Sequence, residues 1–125
     1  MKTITARKTR AMVSRWINHR DMLQYFVMDF DTQPLYTFIW KDKRAMNRAT
    51  ATGADACFWG LHECGAIHLS AESIGAGIFA HELYHAARRY LESVEEEKSA
   101  EMMQVYTAKF WNWFYDHFQR QEGKQ

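Results

Sequence analysis

Apolar residues recur along this chain with two different periods, and the switches between them predict its elements. Met12, Val13, Trp16 and Leu23 share one face at helical spacing, which predicts an N-terminal helix near residues 8 to 24. An extended run near 25 to 30 and a strand near 35 to 41 are expected next, with Pro34, the sole proline, marking a turn after Asp31-Thr32-Gln33. Strands near 56 to 61 and 66 to 70 follow, joined at Glu63-Cys64-Gly65. Gly65-Ala66-Ile67-His68-Leu69-Ser70 has the alternation of a half-buried strand. The period then lengthens. Ile74, Ile78, His81 and His85 follow helical spacing, Ala80, Ala86 and Ala87 favour that state, and Ser73 is placed to cap a helix near 74 to 91. Gly75 and Gly77 weaken its first turns, and their expected benefit is close approach to a strand. Ser93-Val94-Glu95-Glu96 reads as a capping box that opens a last helix near 94 to 118. The sum is an α+β fold with a short sheet of about three strands.

The penultimate helix carries the most specific chemistry. His81-Glu82-Leu83-Tyr84-His85 has the order HExxH. Residues four apart on a helix lie one turn apart on nearly the same face, so His81 and His85 present two imidazoles to one metal. Glu82 is offset in azimuth, which suits a carboxylate acting on water rather than on the metal. Zinc lowers the pKa of a bound water to roughly 7, and a neighbouring carboxylate can take its proton and pass it to a leaving amine. The expected cofactor is Zn2+, the expected base Glu82, and the expected reaction peptide-bond hydrolysis.

A mononuclear catalytic zinc takes three protein ligands and keeps one position for water. Residues 86 to 93 leave room for a further turn and a reversal that brings the last helix back across the imidazoles. That places Glu97 near the metal. Glu96 is the rival ligand, because it shares a face with Ala100, Met103, Phe110 and Phe114; Glu97 is preferred because Glu96 has the capping role to fill. Glu101, one turn beyond Glu97, is placed to accept a hydrogen bond from a ligand histidine.

His81-Glu82-Leu83-Tyr84-His85 together with Glu97-Lys98-Ser99-Ala100-Glu101 resembles the gluzincin metallopeptidases, whose HExxH is followed by a helix bearing Glu-x-x-Ala/Ser-Asp/Glu. The resemblance implies His81, His85 and Glu97 as ligands, Glu82 as base and Glu101 as the supporting carboxylate. Residues 35 to 105 are also similar to small SprT-like and ImmA/IrrE-like zincins, through Ile39-Trp40-Lys41, Arg48 to Gly53 and Ala66 to Ser70. SprT-like enzymes place a third histidine soon after the motif. Here the next is His117, so a glutamate ligand is the expectation. A zincin-like fold implies one metallopeptidase domain over 1 to 125, acting on a protein or peptide substrate. It also implies that an edge strand near Phe58-Trp59-Gly60-Leu61 receives the substrate backbone.

Composition agrees with a small enzyme. The 125 residues are 47% hydrophobic and 15% aromatic, enough for a single core and too few for a second domain. Net charge is only +1, yet Lys2, Arg7, Lys8, Arg10, Arg15 and Arg20 all precede the first acid, Asp21. A solvated helix face is the favoured account of this basic segment and a nucleic-acid surface the lesser one. Cys57 and Cys64 lack CxxC spacing and read as reduced structural thiols. His62 and His68 read as structural or exposed, and His19 has no evident partner. The absence of a long apolar span or signal-peptide core points to a cytoplasmic protein without membrane contact. Phe110-Trp111-Asn112-Trp113-Phe114-Tyr115 and Phe118 are aromatic around most of the last helix. Either the helix is central in a small core, or part of its surface meets a second subunit or another protein. Tyr90, Tyr106 and His117 are candidates for stabilising an oxyanion, and none is assigned.

Overall fold

A computed structural model describes residues 4–90 and 96–118, with the side chain of Glu96 excluded. The proposed capping residues Ser93, Val94 and Glu95, and Lys2 of the basic segment, lie outside the described residues. The elements in order are α1 (Ala6–Ile17), β1 (Met22–Phe30), β2 (Gln33–Trp40), α2 (Lys43–Thr50), β3 (Ala56–Gly60), β4 (Gly65–Ser70), α3 (Ala76–Tyr90) and α4 (Glu96–Trp113), which continues as a π-helical turn over Phe114–Phe118.

The first helix is shorter than its apolar pattern predicts. The Thr5 side chain caps its start, and it stops at Ile17 because Asn18 turns back on Ser14. His19 has a partner after all: its Nδ1 accepts the Asp21 backbone N–H at 3.0 Å, and its ring meets Trp40 edge to face at 5.2 Å. That turn releases Met22 into β1, so Leu23 joins a strand instead of the helix. β1 and β2 form a hairpin across Asp31 and Thr32, whose φ angles of 59° and 109° give the two left-handed residues that a tight hairpin turn requires. Pro34 pairs with Asp29 just before β2 gains a second neighbour, where its missing N–H is harmless.

The sheet has four strands where about three were expected, in the order β1-β2-β4-β3. β2 and β4 run parallel from Leu35↔Gly65 to Trp40↔Ser70, and β3 returns antiparallel along β4. The β2–β4 crossover carries α2, which the apolar pattern does not predict. Its signal is the N-cap: the Asp42 side chain accepts the Ala45 N–H at 2.7 Å. β4 is not half-buried; all six of its residues are buried, because helices cover both faces.

Two cores follow. On one face Leu35, Ile39, Ile67 and Leu69 meet Phe79, Leu83 and Ala86 of α3 and Tyr106, Phe110 and Phe114 of the last helix. On the other, Phe38, Trp40 and Ala66 meet Val13 and Trp16 of α1 and Met46 of α2. Phe79 stacks on Phe110 at 4.2 Å, and Tyr106 Oη donates to the Leu35 carbonyl at 3.0 Å while sharing a hydrogen bond of 3.0 Å with Thr37 Oγ1. Those contacts fix α4 against the sheet. Most of the aromatic run is core: Phe110 and Phe114 are buried, Trp111, Trp113 and Phe118 pack against them, and Tyr115 is the ring left exposed.

Gly65 marks a close approach at the start of β4. A Cβ there meets Tyr90 Oη, Phe58 Cε1 at 2.9 Å and Leu35 Cδ1 at 3.2 Å. Gly65→Ala is therefore expected to destabilise the fold by about 1–3 kcal/mol, the usual range for overpacking. An unchanged urea midpoint in this variant contradicts that crowding.

Candidate metal centre

α3 begins at Ala76, later than its spacing predicts. Its first turn is closed by the Phe79 N–H bonding to the Gly75 carbonyl at 2.9 Å. Ser73 does not cap it, for the Ser73 hydroxyl is buried with no hydrogen-bond partner among the described residues and its N–H bonds back to Ser70. Gly75 and Gly77 do not serve close packing either, since a Cβ on either meets nothing within 4 Å. From Ala76 onward the helix is regular. Phe79, Glu82, Leu83, Ala86 and Ala87 form its buried stripe, which turns His81, Tyr84 and His85 outward. Tyr90 Oη to the Pro34 carbonyl of β2 at 3.4 Å and Arg89 Nη2 to the Leu61 carbonyl, just past β3, at 3.3 Å tie down the far end of α3.

His81 and His85 converge. Their Nε2 atoms are 3.3 Å apart and their rings are inclined at 79°. Two nitrogens each about 2.0–2.1 Å from one tetrahedral zinc stand roughly 3.3–3.4 Å apart, so the observed separation matches the bite of a single ion. The same distance also allows one imidazole N–H to donate to the other ring.

Glu82 sits at the boundary between this outward face and the core, with 7% of its surface exposed. Burial raises the pKa of its carboxyl, and the adjacent His81 and His85 act in the opposite direction. A carboxylate with raised basicity next to two imidazoles has the character of a general base. Cys57 on β3 is near enough to feel the Glu82 charge, and burial raises the pKa of its thiol.

The remaining expected groups are not gathered here. Among the described residues no three His, Cys, Asp or Glu side chains converge as a metal site. Glu97 is exposed on α4 and does not join the histidines, because the register of α4 is set by Tyr106, Phe110 and Phe114 entering the core. Glu101 likewise makes no hydrogen bond to a histidine among the described residues. It lines a cleft of about 650 Å³ with Asp29, Asp31 and Val105 instead. Tyr90 and Tyr106 direct their hydroxyls to β2 carbonyls, which leaves neither poised for an oxyanion. His117 is exposed beside Trp113.

His68 is structural. It is fully buried between Phe38, stacked at 5.3 Å, and Trp16, edge-on at 4.3 Å, and its Nδ1 accepts the Trp40 indole N–H at 3.0 Å. His62 is exposed. Among the described residues no helix is long and apolar enough to cross a membrane. No protein-family model, curated protein or solved structure matches this chain.

Proposed function

We propose that the chain is a zinc-dependent peptidase of the HExxH kind, resembling the gluzincins. One observation carries the reading: a 3.3 Å separation of the His81 and His85 Nε2 atoms, with a largely buried Glu82 on the same turn. His81 and His85 would hold the ion through Nε2. The described residues gather no third donor beside them, and spacing in the sequence makes Glu97 the first residue to test for that role. When bound, zinc supplies a Lewis acid that acidifies water and polarises a peptide carbonyl. Glu82 accepts the proton of the attacking water and returns it to the leaving amine nitrogen, and its partial burial limits competing solvation.

β3 is an edge of the sheet and α3 packs beside it. An extended peptide adding to that free edge would present its scissile bond toward the histidines. The substrate class is therefore a peptide or protein segment able to adopt strand conformation.

Metal analysis of the purified protein tests this directly. About one zinc per chain is expected, lost in His81→Ala, and a wild-type protein that takes up no zinc ends the reading. Glu97→Ala is expected to weaken zinc binding more than Glu96→Ala; the reverse order moves the third donor to Glu96.

A second reading, a zincin-like binding protein with negligible turnover, is favoured by the gathering of two rather than three metal donors among the described residues. Zinc uptake without peptide hydrolysis separates it from the first.

A further inference from the structure

We propose that β1 is a homodimerisation edge, through which two copies of the chain pair antiparallel into one continuous sheet. Among the described residues β1 is the outermost strand of the sheet, nine residues long, with β2 as its strand neighbour. Leu23, Tyr25 and Val27, at alternate positions on it, are 46%, 37% and 41% exposed. They make up half of the large hydrophobic side chains exposed among the described residues, and they share one strand.

Monomeric proteins blunt such an edge with lysine, proline, short length or bulges. Met22–Phe30 contains no Lys, Arg or Pro, and its one charge, Asp29, lies at the far end. A bulge between Met22 and Gln24 perturbs only the start, leaving Gln24–Phe30 in regular register. The opposite edge is managed differently: β3 is only five residues long.

The occupant that fits is another β1. With a two-fold axis at Phe26, Tyr25 lies opposite Val27 of the partner subunit, and Val27 opposite the partner's Tyr25. Aromatic against β-branched side chains form favourable cross-strand pairs. The interface is isologous and closes at two copies. Charge selects the antiparallel sense. The hairpin end of β1 carries Asp29 and Asp31, while its other end carries Arg20 and Lys41, which share the single carboxylate of Asp21. Antiparallel pairing brings the acidic end of one copy to the cationic end of the other, whereas parallel pairing sets acid on acid. α3, with His81 and His85, lies by β3 at the other side of the sheet, so this pairing leaves the candidate metal centre open in both copies.

Light scattering on a size-exclusion column tests the proposal across a dilution series. The wild-type chain is expected to show twice the chain mass at the concentrated end. Val27→Lys, at an exposed position, is expected to halve that mass without changing the circular dichroism spectrum, and Tyr25→Lys, which also gives up ring contacts with Tyr36 and Phe38, is expected to halve it too. Tyr84→Lys, at a 54% exposed position on α3 by the opposite edge of the sheet, is expected to leave the dimer intact. A wild-type protein at single-chain mass throughout overturns the proposal. So does a dimer that survives both β1 substitutions, or one that dissociates only with Tyr84→Lys.

Discussion

Glu82→Gln is expected to keep zinc at the wild-type level while slowing peptide hydrolysis by about 10²- to 10⁴-fold, the usual contribution of a positioned general base. The size of the effect follows from where the carboxyl sits. Glu82 belongs to the buried stripe of α3, so glutamine, of nearly equal volume, fills the same space. His81 and His85 are untouched, and their Nε2 spacing is set by the helix. Only the ability to take a proton is removed. In free-energy terms a loss of this size is about 3–5.5 kcal/mol at the transition state. Measuring zinc content and kcat/KM on the same preparation separates the outcomes: undiminished hydrolysis refutes Glu82 as base, and lost zinc assigns it to metal binding instead.

The second large effect concerns acid stability and lies in the other core. Burial lowers the His68 pKa from 6.5 to about 3. The ring is held neutral, because Nδ1 must keep its lone pair to accept the Trp40 N–H at 3.0 Å, so the proton sits on Nε2, which has no hydrogen-bond partner among the described residues. Between those two pKa values the unfolded chain binds a proton that the folded chain refuses. The stabilising contribution is therefore complete above about pH 6.5 and is lost as the pH falls toward 3, by on the order of 4–5 kcal/mol. His68→Phe leaves the Trp40 N–H without an acceptor, which lowers stability at neutral pH by about 1–3 kcal/mol, but removes the titration. Urea midpoints between pH 7 and pH 4 are expected to fall more steeply in wild type than in the variant. Parallel slopes exclude His68 as the source of acid sensitivity.

The elements that were legible in the sequence are those with long, unmixed periodicity. α3 and α4 and strands β2, β3 and β4 lie near their expected positions because each carries a run of apolar residues that is buried in the fold, β4 on both of its faces. β1 was displaced and α1 was overlong because Leu23 fits a helical stripe as well as a strand. The hydrogen bonds available from β2 decide between them. α2 escaped notice because it is short and its apolar residues are few. Asp42 was the cue that could have found it.

What the sequence determined by itself is local: histidines four residues apart on a helix must face one way, and a glutamate beside the first must lie on a neighbouring azimuth, whatever the rest of the chain does. Only the tertiary structure decided what surrounds them. Burial of Glu82 comes from α3 packing on the sheet. The neutrality of His68 comes from Trp16, Phe38 and Trp40 closing around it, residues up to 52 positions away in the chain. The separation of Glu97 and Glu101 from the imidazoles comes from the aromatic register of α4. Helical azimuth depends on a few adjacent dihedral angles, whereas burial and register depend on which distant surfaces meet, and a one-dimensional pattern records the first but not the second.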